Sequence, residues 1–92
     1  MPQIRIPTPL RKLTNEQDIV MAEGGTLAEA IDALEGAYPG IKERLVDEAG
    51  GIRRFVNIYI NGEDVRFLDN ITTPLKPDDE VSIVPAVAGG RA

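Results

Sequence analysis

The stretch "TLAEAIDALEGAY", from Thr26 to Tyr38, carries the clearest local structural signal in the chain. Thr26, followed three residues later by Glu29, forms a capping box, in which two side chains satisfy backbone N–H groups that a helix start leaves unpaired. Pro39 and Gly40 then end the helical pattern. The apolar residues between these signals recur at helical spacing: Leu27, Ala30, Ile31, Leu34 and Tyr38. The stretch therefore predicts one amphipathic helix that buries a single apolar stripe.

Two short runs before this helix predict a pair of strands that can form a hairpin. "QIRIP" (residues 3–7) alternates, with Ile4 and Ile6 on one face, and proline ends it because proline cannot donate to a strand ladder. "DIVMAE" (residues 18–23) is the second candidate strand, and Gly24-Gly25 ends it before the helix. The turn-rich residues between the two runs connect them.

Three further strands are predicted after the helix. "FVNIYI" (residues 55–60) is rich in β-branched and aromatic residues, and Asn61-Gly62 behind it is a strong hairpin signal because both residues tolerate positive φ. "DVRF" (Asp64 to Phe67) is predicted to return as a short strand, and "VSIVPAV" (residues 81–87) is predicted to be the last strand. Two residues of that last run are predicted to point inward: Val81 and Ile83.

The predicted order of strand, strand, helix, strand, strand, strand favours an α+β architecture with the helix packed on one sheet face. Length, order and the single main helix fit a β-grasp, or ubiquitin-like, fold with a mixed sheet of about five strands. In this arrangement the first and last strands pair in the sheet centre, and the following residues emerge beside it. We expect residues 1–88 to form this domain and residues 89–92 to form a flexible Gly-Gly tail with a two-residue extension.

The composition excludes several classes of function. The 92 residues contain no cysteine and no histidine, which removes disulfides, thiol nucleophiles, thiolate and imidazole metal ligands and the commonest general base. Ten basic against 15 acidic residues give a net charge of -5, so the chain lacks the basic face that binds nucleic acid. No apolar run is long enough to span a membrane, and the first residues lack signal-peptide features. We therefore expect a cytoplasmic carrier or binding module that is not an enzyme and binds neither membrane nor nucleic acid.

Alternation along the third predicted strand singles out two aromatic residues. If the β-branched residues of "FVNIYI" face the helix, Phe55 and Tyr59 lie on the open face of the sheet. Exposed aromatic residues on a small domain suggest a surface for a partner protein, whereas a covering loop would make them structural. The sequence leaves both interpretations open.

Three other clusters are interpreted as structural. Gly24-Gly25 precedes a helix without any phosphate-binding pattern and is interpreted as a turn. Asp78-Asp79-Glu80 lacks the alternating oxygen ligands of a calcium loop and is interpreted as a solvated turn. Arg53-Arg54 is too small for a nucleic-acid footprint and fits a rim contact or plain solvation.

Several segments resemble a known family. "LKPDDEVSIVPAVAGG" (residues 75–90) resembles the C-terminal signature of the ThiS/MoaD family of ubiquitin-like sulfur carriers: a leucine, an acidic turn, a strand and then Pro-x-Val-x-Gly-Gly. "RFVNIYINGEDVRF" (residues 54–67) and "TLAEAIDALEGAYPGIKERLVD" (residues 26–47) resemble the cysteine-biosynthesis carriers of actinobacteria within that family. The resemblance runs from Ile4 to Gly90 and so covers nearly the whole chain.

The resemblance implies a role and a reactive residue. In the family, an adenylating enzyme similar to ubiquitin-activating enzymes activates the last glycine with ATP, and sulfur then replaces the adenylate to give a thiocarboxylate. For this sequence the resemblance implies attachment at Gly90 and a tail that includes Ala88 and Gly89. We expect the partner surface to consist of Phe55, Tyr59 and Val87. The implied partners are the adenylating enzyme, a pyridoxal-phosphate cysteine synthase and a zinc protease of the JAMM type. The chain itself is expected to bind no cofactor and no metal, since ATP is used by the activating enzyme.

Arg91 and Ala92 depart from the simplest family pattern, which ends at the second glycine. Some relatives carry extra residues that a protease removes, so we expect cleavage between Gly90 and Arg91 to release the active form. The alternative is a homologue without carrier activity. Other functions stay open: a ubiquitin-like modifier joined to target proteins through Gly90, a carrier for thiamin, molybdopterin or tRNA thiolation, or a plain β-grasp interaction domain with an inert tail.

Overall fold

The computed structural model describes residues 1–85. The end of the predicted last strand and the predicted tail, residues 86–92, lie outside this described part, as does the domain boundary expected after residue 88. Residues 1–85 contain five strands and two α-helices: β1 (Gln3–Arg5), β2 (Ile19–Met21), α1 (Leu27–Ala37), α2 (Lys42–Leu45), β3 (Val56–Ile60), β4 (Glu63–Asp64) and β5 (Glu80–Pro85). They also contain three 3₁₀ helices: Thr8–Thr14, Val65–Phe67 and Asn70–Thr72.

The five strands form one mixed sheet in the order β2-β1-β5-β3-β4. β1 and β5 run parallel at its centre, with Ile4 opposite Val81, and the other neighbouring pairs are antiparallel. β5 therefore has a partner on both sides, and its Ile83 lies opposite Ile58 of β3. The predicted pairing of the first and last strands in the sheet centre is confirmed, and so is the hairpin of the first two strands.

One face of the sheet carries the hydrophobic core, and α1 covers it. The stripe predicted from the capping box onward is buried at Leu27, Ala30, Ile31 and Leu34, while Tyr38 is half-buried just after the helix. The strands contribute alternate residues that are at most 6% exposed to the same cluster: Ile4, Ile58, Ile60, Val81 and Ile83. Burial of each such side chain stabilises the fold by about 1.5–3 kcal/mol relative to exposure. The alternation of each strand thereby decides which of its faces points inward.

The start of α1 forms the predicted cap with one difference. Oγ1 of Thr26 accepts the backbone N–H of Glu29 at 3.2 Å, as a capping box requires. The carboxylate of Glu29, however, accepts the N–H of Gly25 at 2.7 Å, one residue before the cap. The preceding Gly24 lies so close to α1 that a Cβ there would be 2.5 Å from the backbone nitrogen of Ala30. The glycine pair is thus a tight strand-to-helix turn, as interpreted from the sequence.

The predicted strand "DVRF" is wrong beyond its first residue. β4 ends at Asp64, and Val65–Phe67 form a 3₁₀ turn instead. The carboxylate of Asp64 accepts the backbone N–H of Arg66 at 2.8 Å, which starts the turn, and Val65 is fully buried in the core. The residues between β1 and β2 likewise form a 3₁₀ helix, in which the buried hydroxyl of Thr14 bonds to backbone carbonyls. Local side-chain bonds and core contacts outweigh strand propensity here.

A carboxylate of α1 forms hydrogen bonds to the connection between the two α-helices and to the start of α2. Glu35 of α1 accepts the backbone N–H groups of Gly40 at 3.1 Å and Lys42 at 2.9 Å. The Lys42 bond and then the Gly40 bond hold the pKa of Glu35 below its ordinary value of 4.5, because they stabilise the charged form. No helix among residues 1–85 has both the length and the apolar content needed to cross a membrane.

Candidate functional site

The sheet places the departure point of the predicted tail at one end of its central strands. The last described residue of β5, Pro85, lies opposite Val56 at the amino end of β3. Because the two strands are antiparallel, the residues that precede Val56 lie beside the point where the chain continues past Pro85. We call this end, made of Phe55, Val56, Val84 and Pro85, the exit edge. The other predicted site residues lie outside the described residues: Val87, Ala88, Gly89, Gly90 and Arg91.

The sheet face that points away from α1 is partly apolar and exposed, and we call it the open face. Strand register and alternation place these side chains on it: Gln3, Arg5, Ile19, Met21, Asn57, Tyr59, Glu80, Ser82 and Val84. Three of its apolar residues stay exposed: Ile19 at 36%, Met21 at 50% and Val84 at 42%. An ion pair between Arg5 and Glu80 crosses the same face. A small domain that exposes apolar side chains on one face offers a surface for a partner protein.

The two aromatic residues predicted to lie on the open face differ in exposure. Tyr59 is half-buried on this face, opposite Ser82 of β5 and Asp64 of β4. Phe55 lies just before β3 at the exit edge and is 53% exposed, with its ring centre 5.7 Å from the guanidinium carbon of Arg54. Phe55 thus adds exposed apolar surface at the exit edge, whereas Tyr59 lies near the other end of β3, and the role of both residues in partner binding stays a prediction.

Arg66 forms hydrogen bonds along the outer edge of β3, at the amino-terminal half that β4 does not pair with. Its guanidinium donates to Oδ1 of Asn57 at 2.6 Å and to the carbonyl oxygens of Val56 at 2.8 Å and Arg53 at 3.0 Å. These bonds hold the segment that faces Pro85 in one conformation. Sequence reasoning missed Arg66, since a single arginine behind a hairpin forms no recognisable pattern.

Asp79, just before β5, forms a structural clamp with Asn61 at the opposite end of the sheet. The amide of Asn61 donates to the carboxylate of Asp79 at 2.8 Å and accepts the backbone N–H of Glu80 at 3.0 Å. The backbone N–H of Lys76, followed by the Asn61 amide, holds the pKa of Asp79 below its ordinary value of 3.8. The carboxylate therefore orders the turn, and residues 1–85 contain no group of three or more side chains that could hold a metal.

A groove of about 560 Å³ lies beside α2. Its walls mix charges, with Glu35, Glu43 and Glu48 alongside Lys42 and Arg53. The Glu35 carboxylate already accepts backbone N–H groups, and Arg53 donates to the carbonyl of Glu43 at 2.6 Å. These bonds hold the side chains of Glu35 and Arg53 in the local structure around α2.

A central β5 flanked by β1 and β3, with one main helix across one face and the chain continuing from the sheet centre, defines a ubiquitin-like β-grasp protein. Within that class, the chain belongs to the ThiS family, whose sequence profile matches residues 4–90. This match confirms the family expected from the resemblance.

Individual relatives agree with the family. The chain is 51% identical over 89 residues to the sulfur carrier protein CysO of Mycobacterium tuberculosis, covering 95% of this chain and 96% of the relative. A chain in the crystal structure of the Amycolatopsis orientalis BexX/CysO complex matches with a TM-score of 0.92 and 44% identity, covering 98% of this chain and 100% of that one. Small archaeal modifier protein 3 of Haloferax volcanii is 31% identical over 90 residues, covering 96% of this chain and 97% of the relative.

Proposed function

We propose that this chain is a sulfur carrier of the CysO type, whose Gly90 carboxylate is adenylated and converted to a thiocarboxylate that supplies sulfur for cysteine biosynthesis. The observation that carries the proposal is the 51% identity to a sulfur carrier over 95% of this chain. Because this identity spans the whole domain, it supports a shared role better than a shared fold alone would.

The position of β5 suits a carrier. β5 is hydrogen-bonded on both sides and buries Val81 and Ile83 in the core, so the strand is a rigid base for whatever follows it. Gly90 follows Pro85 by five residues in the sequence. Glycine has no Cβ, so it leaves the neighbouring carboxyl carbon open to attack and can pass a narrow entrance.

The proposed chemistry has two steps, and partner enzymes supply its reactive groups. A carboxylate oxygen of Gly90 attacks the α-phosphorus of ATP and pyrophosphate leaves, which gives an acyl adenylate. Hydrosulfide from the sulfur source then attacks the acyl carbon, AMP leaves, and loss of the S–H proton gives the thiocarboxylate. The chain contains no histidine or cysteine, which fits a protein substrate of an adenylating enzyme rather than a catalyst.

Three partner proteins follow from this role. The adenylating enzyme binds ATP, a pyridoxal-phosphate cysteine synthase accepts the sulfur, and a zinc protease of the JAMM type releases the cysteine adduct. We propose that each approaches the open face, where Ile19, Met21 and Val84 are exposed, together with Phe55 and Tyr59. Val87 is proposed to extend this surface beyond the described residues.

Arg91 and Ala92 follow Gly90 in the sequence, so Gly90 has no free carboxylate until they are removed. We propose that a protease cleaves between Gly90 and Arg91 before activation. The uncleaved chain would then be inert towards ATP even in the presence of the activating enzyme.

A second candidate function is favoured by one comparison. The likeness to a small archaeal modifier protein fits a ubiquitin-like modifier that forms an amide bond from Gly90 to lysines of target proteins. A carrier for thiamin, molybdopterin or tRNA thiolation would use the same activated glycine. These alternatives differ from the leading proposal in the acceptor and not in the activation step.

Intact-mass spectrometry tests the proposal directly. The full chain is incubated with its activating enzyme, a zinc protease, ATP and a sulfur source, alongside an engineered chain that stops at Gly90. We expect loss of Arg-Ala and then exchange of one oxygen for sulfur, and the Phe55→Ser, Tyr59→Ser double variant is expected to convert more slowly. Isopeptide-linked cellular proteins would favour the modifier, and a mass that never changes would overturn both functions.

A further inference from the structure

Two arginines beside the exit edge, Arg54 and Arg66, form no ion pair with a carboxylate of residues 1–85. The ion pairs in that part of the chain are Arg5–Glu80 and Lys42–Asp32. Arg54 is exposed and lies against the Phe55 ring, and the guanidinium of Arg66 donates only to neutral oxygens.

Arg53, the third arginine of this region, differs from Arg54 and Arg66 in its surroundings. Arg53 lines the groove beside α2 together with the acidic residues Glu43, Asp47 and Glu48, and its side chain donates to the carbonyl of Glu43. Asp64 contacts Arg66 through the backbone N–H and not through the guanidinium. At the exit edge, Arg54 and Arg66 therefore carry positive charge that forms no ion pair within residues 1–85.

The positive charge at the exit edge is opposite in sign to the net charge of the molecule. The chain has a net charge of -5, and the end of the sheet opposite the exit edge carries Glu63, Asp78 and Asp79. A positive rim on an acidic protein orients an approaching partner, because the partner's negative surface is attracted to one end and repelled by the other.

Arg66 is already ordered in the free protein. Its three hydrogen bonds fix the planar guanidinium against β3, so little side-chain entropy is lost when a second group binds its outer side. Arg54 is exposed beside the Phe55 ring and forms no ion pair within residues 1–85, so its side chain can adjust to the partner. The two side chains thus combine a fixed and an adaptable positive group near the amino end of β3.

We propose that Arg54 and Arg66 form a docking rim for acidic side chains at the active-site entrance of the activating enzyme. The inference rests on the proposed function, since it concerns the enzyme that takes up the residues after Pro85. The open face supplies apolar contact, and the rim aligns the exit edge with the entrance. The enzyme's entrance is accordingly bordered by aspartate or glutamate.

The test compares two charge reversals of equal size. Arg54→Glu changes the rim, and Lys76→Glu is the control because Lys76 is exposed and precedes β5 at the opposite end of the sheet. Binding of each engineered chain ending at Gly90 to the purified activating enzyme is measured by calorimetry at low and high salt. ATP–pyrophosphate exchange then gives KM and kcat.

We expect Arg54→Glu to weaken binding about fivefold to tenfold at low salt and to raise KM with kcat unchanged, because rim charges act mainly on association. The difference should shrink at high salt as screening increases. Lys76→Glu should behave like the parent chain, and Arg54→Lys should restore most of the affinity.

Equal affinities for the two charge reversals, or a loss at Arg54→Glu that salt does not alter, would overturn the rim while leaving the carrier role intact. An activating enzyme that fails to adenylate the parent chain would overturn the proposed function and the rim with it. Urea unfolding of each variant checks that the fold is retained.

Discussion

Gly24 illustrates how a single residue sets the position of the main helix. The chain leaves β2 and enters α1 within a few residues, and a Cβ at Gly24 would lie 2.5 Å from the nitrogen of Ala30 and 2.9 Å from the carbonyl carbon of Glu29. Both contacts are with backbone atoms of a packed helix, which cannot move aside without disturbing the core. The glycine is therefore required by space and not by an unusual φ angle.

Gly24→Ala is expected to lower the free energy of unfolding by about 1–3 kcal/mol, because the added methyl group overpacks the β2–α1 junction. Gly36→Ala is the matched control, since nothing lies within 4 Å of a Cβ at that helical position. This control should raise stability by about 0.5–1 kcal/mol through helix propensity. Urea unfolding measures both, and equal effects would contradict the role assigned to Gly24.

The lowered pKa of Asp79 makes the free energy of unfolding depend on pH in the acidic range. Its pKa is lowered in the folded state, so its contribution is complete above the ordinary value of 3.8 and is lost as pH falls through the lower folded value. We expect the free energy of unfolding to decline on acidification below this ordinary value. Asp79→Asn should be less stable than the parent chain near neutral pH and should decline less steeply.

The pH series is measured by urea unfolding from neutral pH downward. Glu35 contributes a residual slope in both proteins, because its pKa is also lowered by backbone N–H groups. If the free energies of unfolding of the parent chain and Asp79→Asn changed in parallel at all pH values, Asp79 would not be the source of the pH dependence.

At the scale of elements, β3 depends on a side chain that lies outside every strand. β4 pairs with Tyr59 and Ile60, so within residues 1–85 the amino half of β3 has no neighbouring strand on that side. Arg66 bonds the carbonyl of Val56 and the side chain of Asn57 in its place. The 3₁₀ turn that contradicted the predicted strand is what brings Arg66 into reach.

Arg66→Ala is expected to lower the free energy of unfolding by about 1 kcal/mol and to speed amide exchange in residues 53–58. The reason is that three hydrogen bonds at the edge of β3 are lost. Arg66→Lys keeps the charge without the planar fork and should recover only part of the loss. Exchange rates that change equally throughout α1 and β3 would indicate a global effect and contradict the local role.

At the scale of the whole molecule, folding and carrier chemistry are separated along the chain. The core of residues 1–85 gathers around α1 and the sheet, while the residue proposed to react lies five positions beyond Pro85. The sheet centre connects the two, since β5 is held by β1 and β3. A change at Gly90 should therefore act on transfer without acting on the fold.

Gly90→Val, in an engineered chain ending at residue 90, is expected to leave the free energy of unfolding within about 0.5 kcal/mol of the parent. ATP–pyrophosphate exchange should fall at least about a hundredfold, because a β-branched side chain hinders entry to the adenylation site. Gly90→Ala should give an intermediate rate. Full activity of Gly90→Val would contradict the requirement for a bare glycine.

The sequence by itself determined the helix of Thr26–Tyr38, the inward faces of the strands and the family. The helix and the inward faces depend on local periodicity and on a cap between residues close in sequence, and the family depends on motifs of consecutive residues. Phe55 and Tyr59 followed from the same alternation along β3.

Only the tertiary structure decided how β4 ends and what secures the exit edge. Arg66 contacts residues 9 to 13 positions away, and Asn61 reaches Asp79 and Glu80 18 and 19 positions away. Local propensity carries no information about such partners, because the fold alone brings them together. The charge left on Arg54 and Arg66 is likewise a property of the folded surface, since it depends on where every carboxylate of the described chain lies.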